Sequence, residues 1–312
     1  MRIHHHWQGL ANEARGASVA MGNFDGVHLG HQSVIDLARR PGADSGAPLG
    51  IVTFEPHPRQ VFAPDAPPFR LMNPEARANR LAKLGVQHLY ELPFDRALAS
   101  LSPESFARDV LAAGLGIRHV VVGSDFCFGK GRAGRAADLQ ALGQAHGFDV
   151  TIAPLLSVAG TEVSSTAIRQ ALTEGRPRDA AAMLGHWHRI EGEVIHGEKR
   201  GRDLGYPTAN MSVDGLHLPR LGVYAVKVDI LTGPQAGPHI GAASLGVRPM
   251  FGVNRPNLET FLFDFKGDLY GQHLSVAFVD YLRPEMKFDG LEALITQMDA
   301  DCARARMILS QL

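Results

Sequence analysis

Cysteine is nearly missing from this chain: Cys127 and Cys302 are the two in 312 residues. That number excludes a disulfide framework and the usual cysteine-built zinc sites, and leaves the expectation of two free thiols in a reducing compartment. No apolar run approaches the roughly 18 residues that a membrane-spanning helix needs, so no membrane partner is expected. The stretch Met1–Gln8 lacks the apolar segment of a secretory signal, which makes the cytoplasm the expected location. An excess of one charge is missing too. Lys and Arg total 31 against 32 Asp and Glu, a net charge of −1, so no global basic field gathers nucleic acid. Repeats and low-complexity linkers are absent, and His4–His6 read as a solvated end without a role.

What is present suits two globular domains, with 45% hydrophobic and 20% charged residues. Over the first half, strand-like runs at 17–22, 49–54, 86–91, 117–122 and 148–155 alternate with helical patterns at 31–40, 74–84, 103–113 and 135–146. Asn73-Pro74-Glu75 and Ser102-Pro103-Glu104 each supply a cap, a first-turn proline and an early acid, while Gly85 and Gly114 supply stops. This alternation predicts an α/β domain on a parallel sheet. Two short helices, 165–174 and 177–184, come next. Short strands at 188–196, 222–231, 239–246, 257–265 and 273–281 then precede one helix at 290–309, whose apolar positions follow a 3.6-residue period. The second domain is therefore mainly β, a small barrel closed by a terminal helix. The expected domains are residues 1–184 and 185–312.

The unusual residues of the first half cluster where such a sheet binds ligands, after the carboxyl ends of its strands. Gly22-Asn-Phe-Asp-Gly-Val-His-Leu-Gly-His31 follows the first strand, placing glycines and two imidazoles at a strand-to-helix turn that a phosphate can approach. Thr53–Pro58 follows the second strand and Gly123–Gly129 the fourth. Val163-Ser-Ser-Thr-Ala-Ile-Arg169 follows the fifth, a hydroxyl-rich helix start with an arginine one turn in. Transfer of a nucleotidyl group from ATP needs no protein nucleophile, only positioning and donors aimed at the developing charge. His28 and His31 can donate to the α-phosphate, and Ser165, Thr166 and Arg169 can hold the pyrophosphate end. Helix capping is the plainer role for Ser164–Thr166, and simple packing for Cys127.

In the second half, Val194–Asn210 carries glycines and cationic side chains after a strand, then Pro207-Thr208-Ala209-Asn210. The loop can wrap phosphates with backbone N–H groups, while the Thr208 and Asn210 oxygens suit Mg²⁺. A surface turn is the plainer alternative. Glu259 sits in the apolar strand Asn257–Phe265, alternating with Phe261, Phe263 and Phe265, and is a candidate general base; Asp264 competes from the opposite face.

The segment 22–31 resembles the signature of the nucleotidyltransferase superfamily. Together with Thr53–Pro58, Gly123–Gly129, Val163–Arg169, Gly205–Asn210, Leu258–Phe265, Asp268–Gly271 and Tyr281–Phe288, it looks like the bacterial bifunctional riboflavin kinase/FAD synthetase family over essentially the whole chain. The resemblance implies a Rossmann-like FMN adenylyltransferase domain and a six-stranded riboflavin kinase barrel. It implies riboflavin phosphorylation to FMN, then adenylylation of FMN by ATP to FAD and pyrophosphate, with Mg²⁺ at both steps. It also implies catalytic roles for His28, His31, Arg169 and Glu259, the last activating the ribityl hydroxyl. ATP contacts would fall to Gly22, Phe24, Asp25, Gly30, Asp125, Ser164, Ser165 and Thr166 in one site, and to Gly197, Arg202, Gly205 and Pro207 in the other. Thr208 and Asn210 would serve the metal, and His57, Phe62, Phe128 and Arg283 the flavin. Partners are then riboflavin, FMN and ATP, with apoflavoproteins receiving the products and a homo-oligomer left open. Met250 where the family has Thr, Tyr206 for Phe, Ala167 for a frequent Arg, and Gly185-His-Trp-His188 depart from the pattern. An inactive barrel beside a working transferase, or a non-catalytic flavin sensor, would use the same fold. Intact His28, His31, Arg169, Thr208, Asn210 and Glu259 argue against both.

Overall fold

The computed structural model describes residues 1–158, 161–197, 205–250 and 253–312. By contact the chain forms two compact units, Met1–Pro67 with Arg77–Val163, and Pro68–Ala76 with Ser164–Leu312.

The first unit is built on six parallel strands: β1 (Arg2–His4), β2 (Ser18–Met21), β3 (Leu49–Glu55), β4 (His88–Pro93), β5 (His119–Gly123) and β6 (Asp149–Ala153). Their spatial order is β1-β4-β3-β2-β5-β6. The central strands are almost wholly buried, with Val19, Ala20, Ile51, Val52, Leu89, Tyr90 and Val120–Val122 at 0% exposure, as expected where both faces of such a sheet are covered. The order reverses direction at β2, which pairs with β3 on one side and β5 on the other. A crevice opens at such a switch point, and residues 22–31 leave β2 into it.

The longer helices beside these strands are α1 (Leu29–Ser45), α2 (Pro74–Lys83), α3 (Pro103–Ser105 running into the wider turns of Phe106–Leu115) and α4 (Ala136–His146). Asn73 and Ser102 cap as expected, accepting from the Ala76 and Ser105 N–H groups. Gly114 is not a stop. The helix runs through it to Gly116 at φ +58°, and a Cβ on Gly114 would lie 2.7 Å from the Trp7 ring. The glycine is there for close packing rather than termination. His5 and His6 are exposed, as expected of a solvated end, but His4 is not, since Arg2–His4 pairs in register with His88–Tyr90. His4 stacks 5.1 Å from Tyr90 and shares a 3.0 Å hydrogen bond with His88. Three residues are too few for periodicity to reveal a strand.

The second unit carries α5 (Ser165–Thr173), α6 (Pro177–Leu184) and the strands β7 (Arg189–Glu193), β8 (Ala209–Ser212), β9 (Gly222–Ile230), β10 (Gly237–Met250), β11 (Val253–Leu262) and β12 (His273–Arg283). These form an antiparallel sheet in the order β7-β12-β9-β10-β11-β8. It closes toward a barrel through one bridge, in which the Ile195 N–H donates to the Asn210 carbonyl at 2.9 Å. The inner face holds a core that includes Met211, Tyr224, Val226, Leu245, Leu258 and Phe278. The terminal helix α7 (Leu291–Leu309) packs outside, where Ala305 and Leu309 meet Ala225, Ala242 and Phe263. β11 ends at Leu262, short of the expected 265. Asp264 turns the chain at φ +56°, which sends Phe265 to the inner core and leaves Phe261 and Phe263 with the helix. No helix among the described residues is long and apolar enough to cross a membrane.

Candidate active sites

The turn after β2 is held in an unusual backbone. Phe24, Gly26 and Val27 have φ of +53°, +88° and +43°, and the two non-glycine side chains are fully buried. Left-handed residues of this bulk persist only where their surroundings over-determine them. Here the Gln32 amide donates to the Val27 carbonyl at 2.9 Å, and Val27 N–H to the Phe24 carbonyl at 3.2 Å. Below the turn, the Thr53 hydroxyl donates to the Asn23 carbonyl at 3.3 Å. Arg77, 1% exposed, donates to Glu55 at 2.9 Å and Glu91 at 2.8 Å. Arg77 lies in an ordinary polar helix pattern, so nothing in the sequence singled it out.

His28 caps α1, its Nδ1 accepting the His31 N–H at 3.3 Å. That bond assigns the proton of neutral His28 to Nε2. The two imidazoles stack 3.6 Å apart at 19°. Burial, and then the His28 charge, hold His31 well below its usual range, and its buried Nδ1 has no hydrogen-bond partner among the described residues. Two cations at this spacing repel, which is why the His28 charge adds to burial in holding His31 neutral. A Cβ on Gly30 would meet the His28 ring at 3.1 Å, which explains the glycine between them. Gly22 ends β2 with its N–H on the Val52 carbonyl, and Asp25 is buried beside the turn.

The other strand ends of this unit hold the remaining predicted residues. His57 caps the short helix Pro58–Phe62, and Phe62 is 70% exposed, edge-on to Phe94 at 5.7 Å. Phe128 is buried in the core against Phe106, while the adjacent ring of Phe126 is the more open one. Asp125 is exposed in the turn after β5. Ser164, Ser165, Thr166 and Arg169 belong to the second unit. Ser164 caps α5 through the Ala167 N–H at 3.2 Å, Ser165 and Thr166 open the helix, and Arg169 donates to the Phe69 carbonyl at 2.7 Å.

In the barrel, strand pairing assembles residues far apart in sequence. Asn210 lies opposite Glu259, Glu259 opposite Ser244, Ser244 opposite Val223, and Val223 opposite Arg283. Directly opposed residues point to one face, so Asn210, Glu259 and Arg283 share a row along the outer surface of the barrel. Four interstrand steps of about 4.8 Å make that row roughly 19 Å long. Arg283 marks one end, paired with Asp301 of α7 at 2.7 Å and lying over the Phe288 ring. Asn210 marks the other, its amide donating to the Thr208 carbonyl at 3.3 Å and accepting from Asn257 at 2.8 Å.

Gly197 lies against Asn210. A Cβ on Gly197 would come within 2.6 Å of the Asn210 amide. Gly205 turns at φ +83°, and Pro207 is exposed. The Tyr206 hydroxyl donates to Asp299 of α7, which pushes its pKa up to about 12. Asp264 pairs with Arg306, which holds its carboxyl below the usual range and leaves Glu259 as the carboxylate of the row. Arg202 lies outside the described residues. His188 fills the core against Phe278 at 5.7 Å, and burial lowers its pKa to about 3.

A parallel sheet with paired imidazoles after its switch-point strand, together with a six-stranded barrel carrying an acid–amide row, is the architecture of a two-domain transferase. A family model described as FAD synthetase matches residues 10–167, and one described as riboflavin kinase matches 184–309. The chain belongs to the bifunctional riboflavin kinase/FMN adenylyltransferase family. It is 42% identical to that enzyme of Pseudomonas fluorescens over 300 residues, covering 96% of this chain and 95% of the relative. With the enzyme of Listeria monocytogenes it shares 38% over 297 residues, covering 94% and 93%. A solved structure described as a macrolide-efflux protein from Streptococcus pneumoniae has a TM-score of 0.79 and 33% identity over 92% of each chain. Riboflavin phosphorylation therefore belongs to the C-terminal domain and FMN adenylylation to the N-terminal one.

Proposed function

We propose specific roles for the residues of each step, with the catalytic domains meeting at 184/185. In the barrel, Glu259 accepts the proton of the ribityl 5′-hydroxyl as its oxygen attacks the γ-phosphorus of ATP and ADP leaves. Arg283 and the terminal helix border the flavin, while Gly197, Arg202, Gly205 and Pro207 line the nucleotide path. The observation that carries this reading is the single row Asn210–Glu259–Ser244–Val223–Arg283. It sets a hard oxygen donor and a carboxylate on directly opposed positions.

In the second step the phosphate of FMN attacks the α-phosphorus of another ATP, forming FAD and releasing pyrophosphate. His28, donating through Nε2, and His31 stabilise the charge on the α-phosphate oxygens. Gly22, Phe24, Asp25, Gly30 and Asp125 shape the ATP site, Ser164–Thr166 and Arg169 hold the pyrophosphate end, and His57, Phe62 and Phe128 serve the flavin. The depressed affinity of His31 for a proton supports this reading, because an arriving anion supplies the stabilisation that burial removes.

The residues around Asn210 fit Mg²⁺. Among the described residues no group of three or more His, Cys, Asp or Glu could cage a metal, so a cation here rests on amide, hydroxyl and phosphate oxygens. When bound, Mg²⁺ screens phosphate charge. Thr208 and Asn210 hold it in place. The products pass to apoflavoproteins in the cytoplasm. Incubation with riboflavin and Mg·ATP, with FMN and FAD resolved by chromatography, tests the scheme. Both should appear in sequence; conversion of supplied FMN with riboflavin untouched would remove the kinase assignments.

A further inference from the structure

The hydrogen bonds around Asn210 settle the orientation of two amides in turn. The Thr208 carbonyl can only accept, so Asn210 turns its NH₂ toward it, at 3.3 Å. The Asn210 oxygen must then face Asn257, and Asn257 must present its own NH₂, at 2.8 Å. That leaves Asn257 Oδ1 on the far side, where it is buried and finds no hydrogen-bond partner among the described residues. Asn257 is 5% exposed and sits one pleat from Glu259, on the same face of β11. A buried amide oxygen without a donor is costly, by about 1–3 kcal/mol, and its persistence calls for a ligand.

We propose that Asn257 is a positioning residue of the kinase site. It helps to fix the Asn210 oxygen, whose second lone pair takes the bound cation, and offers its own Oδ1 as acceptor for a water of that cation's shell. Magnesium keeps several waters when it binds phosphates, and those waters need acceptors held at fixed positions. A flipped Asn210 would present two N–H donors to a cation and repel it. The Thr208 carbonyl opposes that flip, because it would then face the Asn210 oxygen, and the Asn257 NH₂ adds to the hold by donating to that oxygen. The inference rests on the reading of Asn210 as a cation ligand.

The test uses the full chain and two readouts. ADP is titrated calorimetrically into wild type, Asn257→Ala, Asn257→Ser and Asn210→Ala, with Mg²⁺ and with EDTA, and FMN formation is followed against Mg²⁺ concentration. Outer partners of metal ligands typically govern affinity by about 10–100-fold. Asn257→Ala should therefore weaken the Mg²⁺-dependent part of ADP binding about tenfold, and raise the Mg²⁺ needed for half-maximal FMN formation by a similar factor. Binding in EDTA, and adenylylation of supplied FMN, should stay within twofold. Asn257→Ser keeps a donor and should recover part of the loss. A lowered melting temperature in Asn257→Ala with unchanged Mg²⁺ dependence would overturn the proposal and leave Asn257 structural. An unchanged Mg²⁺ dependence in Asn210→Ala would instead remove the reading of Asn210 beneath it.

Discussion

Asn210 and Glu259 face each other across neighbouring antiparallel strands, 49 positions apart in the chain yet directly opposed in register. Strand pairing places an amide oxygen and a carboxylate within one step of about 5 Å, on a surface that the terminal helix also borders. The row extends through Ser244 and Val223 to Arg283.

The carboxylate end of that row predicts a selective loss. Glu259→Gln removes the proton acceptor and keeps the shape, so FMN formation should fall by about 10²–10⁴-fold. Adenylylation of supplied FMN should persist. Chromatographic assays with riboflavin and with FMN as separate substrates distinguish the two, and equal losses in both would contradict the assignment.

The stacked imidazoles predict the complementary result. His28→Ala removes both the Nε2 donor and the cap on α1, and should lower FAD formation by about 10²–10³-fold while FMN accumulates. His28→Asn retains a capping side chain without an imidazole. If it restored full FAD synthesis, His28 would be a cap and nothing more.

Steric geometry at Gly197 makes a third case. A methyl group there would meet the Asn210 amide at 2.6 Å, so Gly197→Ala must displace one or the other. The apparent KM for Mg·ATP in the kinase reaction should rise about tenfold, with FMN adenylylation unchanged. Steady-state kinetics at varied Mg·ATP read the outcome.

Beneath the first site, Arg77 holds Glu55 and Glu91 in a nearly dry pocket. Arg77→Met leaves the buried Glu91 carboxylate without that partner, a change of about 3–5 kcal/mol against the fold. Urea denaturation should show it as a lower midpoint, and FAD formation should fall because the pocket underlies Asn23 and Thr53.

Acid should loosen the barrel through His188, whose folded pKa of about 3 lies below the unfolded value of 6.5. The group is neutral in both states above that value and contributes no pH dependence there. As pH falls below 6.5, the unfolded chain takes up the proton first, and stability drops by about 2 kcal/mol by pH 5. The loss continues until pH reaches the folded pKa. In a Trp7→Phe background, Trp187 fluorescence reports the unit that holds His188. His188→Leu should flatten the slope of its unfolding midpoint between pH 7 and 5.

Much of this was legible from residue order. The parallel sheet, the capped helices and the glycine–histidine turn announce themselves locally, because apolar periodicity, proline at a first turn and glycine at a strand end act over a few residues. His28 and His31 sit three apart, so their proximity follows from one turn of helix. The riboflavin kinase signature likewise drew attention to Thr208, Asn210 and Glu259. The early strand at Arg2–His4, the helix continuing through Gly114 and the end of β11 at Leu262 escaped notice. Each depends on a distant neighbour: β4 beside His4, Trp7 against Gly114, the inner core receiving Phe265.

Residue types and short spacings, then, suggested the proposed chemistry: two imidazoles for phosphate, hard oxygens for a cation, a carboxylate for a hydroxyl. Register across the barrel decided which of those groups meet in the second unit and placed Asn257 against Asn210, while burial in the first unit put Arg77 beside Thr53, Glu55 and Glu91. The physical reason is range. Periodicity and capping are local forces written into consecutive residues, whereas strand pairing and burial select partners tens of positions away by the fit of a whole sheet.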